Sequence, residues 1–280
     1  MRVIIDLKEM QKYSKAAKGQ KIGLVPTMGY LHAGHLSLVE AARKSSDRVV
    51  VSIFVNPIQF GPKEDFKKYP RDLKRDKKLL KPYRPDVIFI PKVEEIFPNG
   101  FSTFIEVKDL SDKLCGKIRP GHFKGVTTIV LKLFEIVQPD LAFFGEKDFQ
   151  QQVIIKKMVK DLNLPVKIVA LPTVREEDGL ALSSRNTYLK PKERQAAPVL
   201  YKSLLLAEEM VTCGEKNSQK IMQEMRKLIG SEPLIKIDYI SICDPETFKE
   251  VKAVKGKTLV ALAAYVGKAR LIDNLLLTGK

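Results

Sequence analysis

The sequence has no tryptophan, only three histidines and only three cysteines in 280 residues. Cys115, Cys213 and Cys243 are far apart, form no CxxC pair and leave at least one thiol unpaired. A disulfide framework and a thiolate zinc site are therefore not expected, and the three are expected to be small buried or half-buried residues. Long apolar runs are also missing. Val49–Val55 and Leu259–Val266 fall far short of the roughly 20 residues a spanning helix needs. The stretch Met1–Gln20 carries acids and amphipathic spacing and lacks the apolar core of a signal peptide, which points to the cytoplasm. Internal repeats and low-complexity segments are absent too.

What is present is an ordinary globular composition, 44% hydrophobic and 29% charged, with a formal charge of +16. Such a balance suits nucleic acid, an acidic membrane surface, anionic small substrates or simply a solvated Lys-rich surface. The basic residues are scattered among acids, as in KKYPRDLKRDKKLLK at 67–81, and no aromatic-interleaved basic tract occurs. Nucleic acid and membrane partners are therefore not expected, and anionic small substrates are retained.

The first half alternates strand and helix. Strands are expected at 21–27, 48–55, 86–90, 140–144 and 166–171, and helices from Gly34 through Ser46 and at 72–83, 126–137 and 148–162. This order implies right-handed crossovers and a parallel sheet covered by helices on both faces, an α/β fold with ligands beyond the carboxyl ends of the strands. After about residue 175 the pattern changes. Helices at 192–211 and 218–229 precede strands at 237–243 and 258–266, which reads as a smaller α+β domain with a partly antiparallel sheet. The domains are expected at 1–175 and 176–280, with Glu177–Gly179 as a hinge.

Chemistry concentrates where strands end. His32 and His35 lie in PTMGYLHAGHLSL, after a strand and at the start of a helix. A helix N-terminus presents free N–H groups, and two imidazoles add directed donors for phosphate. Two ordinary loop residues, or a zinc pair lacking an obvious third ligand, are the alternatives. Asn56 and Gln59 follow the second strand and offer uncharged donors, or serve as loop caps. In FFGEKDFQQ, Gly145 follows a strand, Asp148 reads as a helix N-cap, Lys147 is a phosphate-binding candidate and Gln151 lies one turn on. Ser183, Ser184 and Arg185 bring two hydroxyls and a guanidinium fork. Arg119 and the GHFKGV turn suggest a further anion site. The His-x-Gly-His pattern resembles the nucleotidyltransferase superfamily, which includes the class I aminoacyl-tRNA synthetases.

Taken in order, PTMGYLHAGHLSL, FVNPIQFG, RPGHFKGV, GEKDFQQ and DGLALSSRN resemble the pantothenate synthetase (pantoate–β-alanine ligase) family across essentially the whole chain. The resemblance implies a Rossmann-like ATP- and pantoate-binding domain, a smaller C-terminal lid domain and a cytoplasmic homodimer. It implies ATP, Mg²⁺, (R)-pantoate and β-alanine as ligands, and AMP, pyrophosphate and pantothenate as products formed through a pantoyl adenylate. By position, ATP is expected against Met28, Gly29, Tyr30, Leu31, His32, Ala33, Gly34, His35, Gly145, Glu146, Lys147, Asp148, Val174, Leu182, Ser183, Ser184 and Arg185. His35, matched to the position usually called the proton donor, leads a catalytic set completed by His32, Lys147, Ser183, Ser184 and Arg185. Gln59 and Gln151 are expected to hold pantoate, with Gln59 also near β-alanine, and Asn56 and Tyr69 to line the cleft. No protein ligand for the metal is identified. Cys115 departs from the pattern, standing where some relatives have Glu. Two other readings are an adenylyltransferase acting on a substrate such as phosphopantetheine, and an RNA-binding, synthetase-like module. The short C-terminal part, with no recognisable RNA module, speaks against the second.

Overall fold

The computed structural model describes residues 1–62 and 64–279. The first part of the chain forms β1 (Arg2–Ile4), α1 (Leu7–Ala16), β2 (Ile22–Thr27), α2 (Ala33–Ser45), β3 (Arg48–Ile53), α3 (Leu73–Leu80), β4 (Val87–Phe89), α4 (Val93–Ile96), α5 (Cys115–Ile118), α6 (His122–Val137), β5 (Leu141–Gly145), α7 (Phe149–Asp161) and β6 (Lys167–Leu171). The rest forms α8 (Pro191–Ala196), α9 (Val199–Thr212), α10 (Ser218–Gly230), β7 (Ile235–Cys243), β8 (Gly256–Val266) and β9 (Ala269–Gly279). Two compact units result. The first comprises Met1–Asp112, Gly116–Glu146 and Gln150–Pro172, and the second Lys113–Cys115, Lys147–Phe149 and the chain from Thr173.

In the first unit six parallel strands run in the order β1-β4-β3-β2-β5-β6, flanked by helices. Val49, Val50 and Val51 of β3 are fully buried, as a strand covered on both faces requires. Leu38, Val39 and Ala42 of α2 pack on Val25, Val51 and Phe143 of the sheet. The expected α/β class is borne out. Neither β1 nor α1 is among the elements expected from the sequence, although the spacing over residues 1–20 is amphipathic. β1 is only three residues long and reaches the sheet through β4, whereas α1 is capped by Asp6, whose carboxylate accepts the Glu9 N–H at 2.7 Å. Helix α6 begins at His122, four residues before the expected start, after Gly121 in the left-handed region at φ 80°.

In the second unit β7, β8 and β9 form an antiparallel sheet. Its core joins Leu204, Ile221, Met225 and Ile229 to Val260 and Leu262. The single helix expected at 192–211 is instead α8 and α9, parted at Pro198, where proline supplies no N–H. Strand β9 was not anticipated. It returns from β8 through a tight turn in which Gly267 has φ 58°. None of the described helices is long and apolar enough to cross a membrane.

Candidate active site

Strand order in the first unit reverses at β2, which pairs with β3 on one side and β5 on the other. A crevice at such a switch point opens beyond the carboxyl ends of the strands. Met28–His35 leave β2 there, Asn56–Gln59 follow β3, and Gly145 ends β5.

The turn after β2 is built around a buried acid. Gly29 (φ 78°) and Tyr30 (φ 50°) are both left-handed, and the Tyr30 and Leu31 N–H groups each donate to Asp76 of α3 at 2.8 Å. Successive amides in this conformation make an anion-binding concavity. Here the anion is the chain's own carboxylate, so these two donors are committed internally. A Cβ at Gly29 would stand 3.0 Å from Ile53 Cγ2 and 3.1 Å from Asp76 Oδ2. Asp76 is 1% exposed, and burial pushes its pKa up against the pull of the two amides and Arg75. Arg75 also caps the Tyr30 ring, its Cζ 4.6 Å from the centroid. Sequence reasoning missed Asp76, which looks like one more charge in a Lys-rich helix.

His32 is the N-cap residue of α2, and His35 lies in its first turn. The imidazole rings are 4.0 Å apart, and His35 Nδ1 accepts the His32 backbone N–H at 3.3 Å. With Nδ1 an acceptor, a neutral His35 carries its proton on Nε2, which leaves that atom a donor. The pair thus meets at a helix N-terminus as expected. Among the described residues no group of three or more His, Cys, Asp or Glu side chains could hold a metal, so the zinc reading gains no third ligand.

Gln59 and Met28 also meet, with Gln59 Nε2 donating to Met28 Sδ at 3.1 Å. Asn56, 1% exposed, donates through Nδ2 to Gln59 Oε1 at 2.9 Å and Gly125 O at 3.0 Å. It therefore orients the Gln59 amide. The Gln59 backbone carbonyl is held in turn by His122 Nδ1 at 2.8 Å, while His122 Nε2 faces Arg119 Nη1 at 3.0 Å. A guanidinium only donates, so His122 accepts at Nε2 and donates from Nδ1. Arg119 forks onto Glu64 at 2.7 and 2.5 Å. Burial opposes ionisation of Glu64, yet the fork prevails and lowers its pKa. The anion expected at Arg119 is thus an internal carboxylate. Tyr69 is buried, its ring edge-on to Phe60 with centroids 5.9 Å apart. Gln151 is half-buried on α7, and Glu146 follows Gly145 in a 3-10 turn.

The other expected residues belong to the second unit. Lys147 Nζ lies 3.8 Å from Asp148, and the Lys147 carbonyl accepts from Asn274 Nδ2 at 2.9 Å. Asp148 lies in the 3-10 turn immediately before α7. The Leu182 N–H donates to Val174 O at 3.0 Å, closing a short hairpin with the Arg175–Ala181 bridge. Arg175 forks onto Asp273 at 2.6 and 2.9 Å, and Arg194 spans Glu176 and Asp178 at 2.7 and 2.5 Å. Residues 176, 178 and 179 of the expected hinge region thus each accept from an arginine of the same unit. Ser183 Oγ accepts the Arg185 N–H at 3.2 Å, which leaves the hydroxyl proton to donate. Ser184 is buried and begins a 3-10 turn that includes Arg185. Cys115 is buried, and its Sγ receives Arg270 Nη1 at 3.5 Å. Cys243 is buried with its thiol pushed up to about 12 by desolvation. Cys213 is exposed, contrary to expectation, because it is the C-cap residue just past the end of α9.

The family model of the pantoate–β-alanine ligases matches residues 2–276. The chain is 56% identical over 273 residues to the pantothenate synthetase of Thermoanaerobacter sp. (strain X514), covering 98% of this chain and 96% of that one. It is 56% identical over 281 residues to that of Thermosipho melanesiensis, covering 100% of both. Pantothenate synthetase from Thermus thermophilus superposes with a TM-score of 0.94 at 46% identity, covering 98% of this chain and 99% of that one. A Francisella tularensis pantoate–β-alanine ligase, solved with β-γ ATP and β-alanine, gives 0.83 at 38% identity, covering 99% and 97%. On sequence and fold alike, the chain belongs to the pantoate–β-alanine ligase family.

Proposed function

We propose that this chain joins (R)-pantoate to β-alanine through an enzyme-bound pantoyl adenylate, with the helix-start histidines as its phosphate donors. The pantoate carboxylate, ionised at neutral pH, attacks the α-phosphorus of ATP and pyrophosphate leaves. No general base is needed. The demand is for donors around a crowded phosphate and an in-line approach. The His35 ring at the start of α2, whose Nδ1 accepts the His32 N–H, is the observation that carries this reading, with Nε2–H as the proposed donor. His32, Lys147, Ser183, Ser184 and Arg185 are assigned the remaining phosphate contacts. Met28–His35, Gly145–Asp148, Val174 and Leu182–Arg185 bind ATP in this reading. Gln59 and Gln151 hold pantoate, and Asn56 and Tyr69 support that pocket. β-Alanine, as the neutral amine, then attacks the acyl carbon and AMP leaves.

Mg²⁺ belongs to the same proposal. The buried acid nearest the nucleotide turn, Asp76, is committed to two amides, and Glu64 to Arg119. Such a donor set fits a metal carried mainly by phosphate oxygens and water, where it offsets phosphate charge. In this proposal residues 1–175 bind ATP and pantoate, and 176–280 form a lid that shields the adenylate from water. A homodimer acting in the cytoplasm completes it, and a sedimentation mass of 31.6 kDa would remove the dimer.

The test supplies ATP, Mg²⁺ and pantoate with and without β-alanine. Pyrophosphate released with pantoate alone, and AMP released once β-alanine is added, is the expected result. No AMP under the complete conditions would sink the reading.

A further inference from the structure

Two segments assigned to phosphate chemistry, Lys147 and Ser183–Arg185, lie far apart in the sequence, and adjacent residues of β9 hold the first directly and the second through the hairpin that precedes it. Asn274 Nδ2 donates to the Lys147 carbonyl at 2.9 Å. Asp273, 5% exposed, receives both arms of Arg175 at 2.6 and 2.9 Å and also accepts the Asn274 N–H at 2.8 Å. Arg175 in turn donates to Gly179 O at 3.1 Å and lies 3.8 Å above the Tyr201 ring. That closes the hairpin from which Ser183 emerges. Lys147, Ser183 and Asp273 line one small crevice of the second unit.

We propose that Asp273 and Asn274 are positioning residues that hold Lys147 and Ser183–Arg185 in register for pyrophosphate displacement. The physical reason is rigidity. A lysine ammonium sits on a long, flexible stem, so that of Lys147 is directed well only if its backbone is fixed. β9 is hydrogen-bonded along its length to β8, from Ala269 opposite Val266 to Gly279 opposite Gly256. An amide donor and a two-armed ion pair on such a strand fix one segment by its carbonyl and the other by its hairpin. An active-site group displaced by about 1 Å can lose around a hundredfold in rate. The proposal rests on the assignment of these residues to phosphate chemistry.

Asn274→Ala and the near-isosteric Asn274→Leu remove the donor, whereas Asn274→Gln retains an amide. Leu276→Ala, at an exposed position of the same strand, controls for weakening of β9. The expected result is a pantoate-dependent pyrophosphate release slowed about tenfold to a hundredfold in the Ala and Leu variants. The Gln variant is expected to recover part of that rate, and the KM for β-alanine and the Tm to stay near the control. Amide hydrogen exchange in the peptide spanning Lys147 is expected to quicken in the Ala and Leu variants alone. Wild-type release rates in those variants, or an equal loss in Leu276→Ala, would overturn the proposal. Unchanged exchange at Lys147 would overturn it even if wild-type protein released no pyrophosphate, a result that would separately remove the functional assignment.

Discussion

The two units hold the residues proposed to carry the chemistry by different means. In the first, topology sets the positions. Parallel strands end at one edge, and whatever follows β2, β3 and β5 arrives there. Local amide contacts then refine the position, as Asp76 does for the Tyr30 turn and Asn56 for Gln59. In the second unit the sheet is antiparallel and gathers no such edge. Its residues are held by side-chain straps instead, Arg175 to Asp273, Arg194 to Glu176 and Asp178, and Asn274 to Lys147.

That contrast is sharpest at Arg175. Arg175→Ala leaves the Asp273 carboxylate buried without its partner, and the expected loss is about 3–5 kcal/mol. Urea unfolding followed by circular dichroism checks it. A loss under about 1 kcal/mol, the scale of surface pairs, would mean that the straps are ornamental.

His35→Ala is the counterpart in the first unit. The adenylation step is expected to slow by roughly 10²–10³, or about 2.7–4 kcal/mol of barrier, with the urea midpoint close to wild type. If the midpoint falls and the rate does not, the imidazole is a structural cap only.

Gly125→Ala probes packing beneath the site. The added Cβ would lie 2.5 Å from Ile58 O and 2.7 Å from Gln59 Cα, so α6 must shift or the Gln59 turn must move. We expect about 1–3 kcal/mol of destabilisation together with a raised KM for pantoate. Destabilisation with unchanged pantoate KM would detach Gln59 from the substrate.

The smallest expected effect is on acid stability. Glu64 in the first unit and Asp178 in the second both have lowered pKa values, through Arg119 against the cost of burial and through Arg194 respectively. Each therefore contributes stability that is present above the ordinary carboxylate pKa of about 4 and is lost as pH falls through the lowered value. Asp76 has the opposite sign. Its raised pKa makes the folded state bind the proton more readily, so acidification through that range relieves a cost. Arg119→Met and Arg194→Met should flatten the acid limb of a stability–pH curve, the first more than the second because Glu64 is the less exposed of the two acids. Indistinguishable acid limbs in variant and wild type would show that neither pairing is felt.

What could be read in advance followed periodicity and strand ends. The β-branched run at 48–55 and the amphipathic helices gave the parallel sheet. The glycines and histidines between β2 and α2 marked its edge. Elements with weak local signals were missed: β1 is three residues long, and β9 alternates poorly. The break at Pro198 was overlooked because apolar spacing continues across it.

The sequence by itself determined the class of fold and the family, and marked the segments proposed to carry the chemistry, because side-chain periodicity and motif order are local properties of the chain. Only the tertiary structure decided the partners. It gave Asp76 to the Tyr30 turn, Glu64 to Arg119 and Asn274 to Lys147, pairs separated by 46, 55 and 127 residues. No local pattern encodes which charge meets which amide across such distances. That choice is made when burial obliges each polar group to pair with what the fold brings within reach.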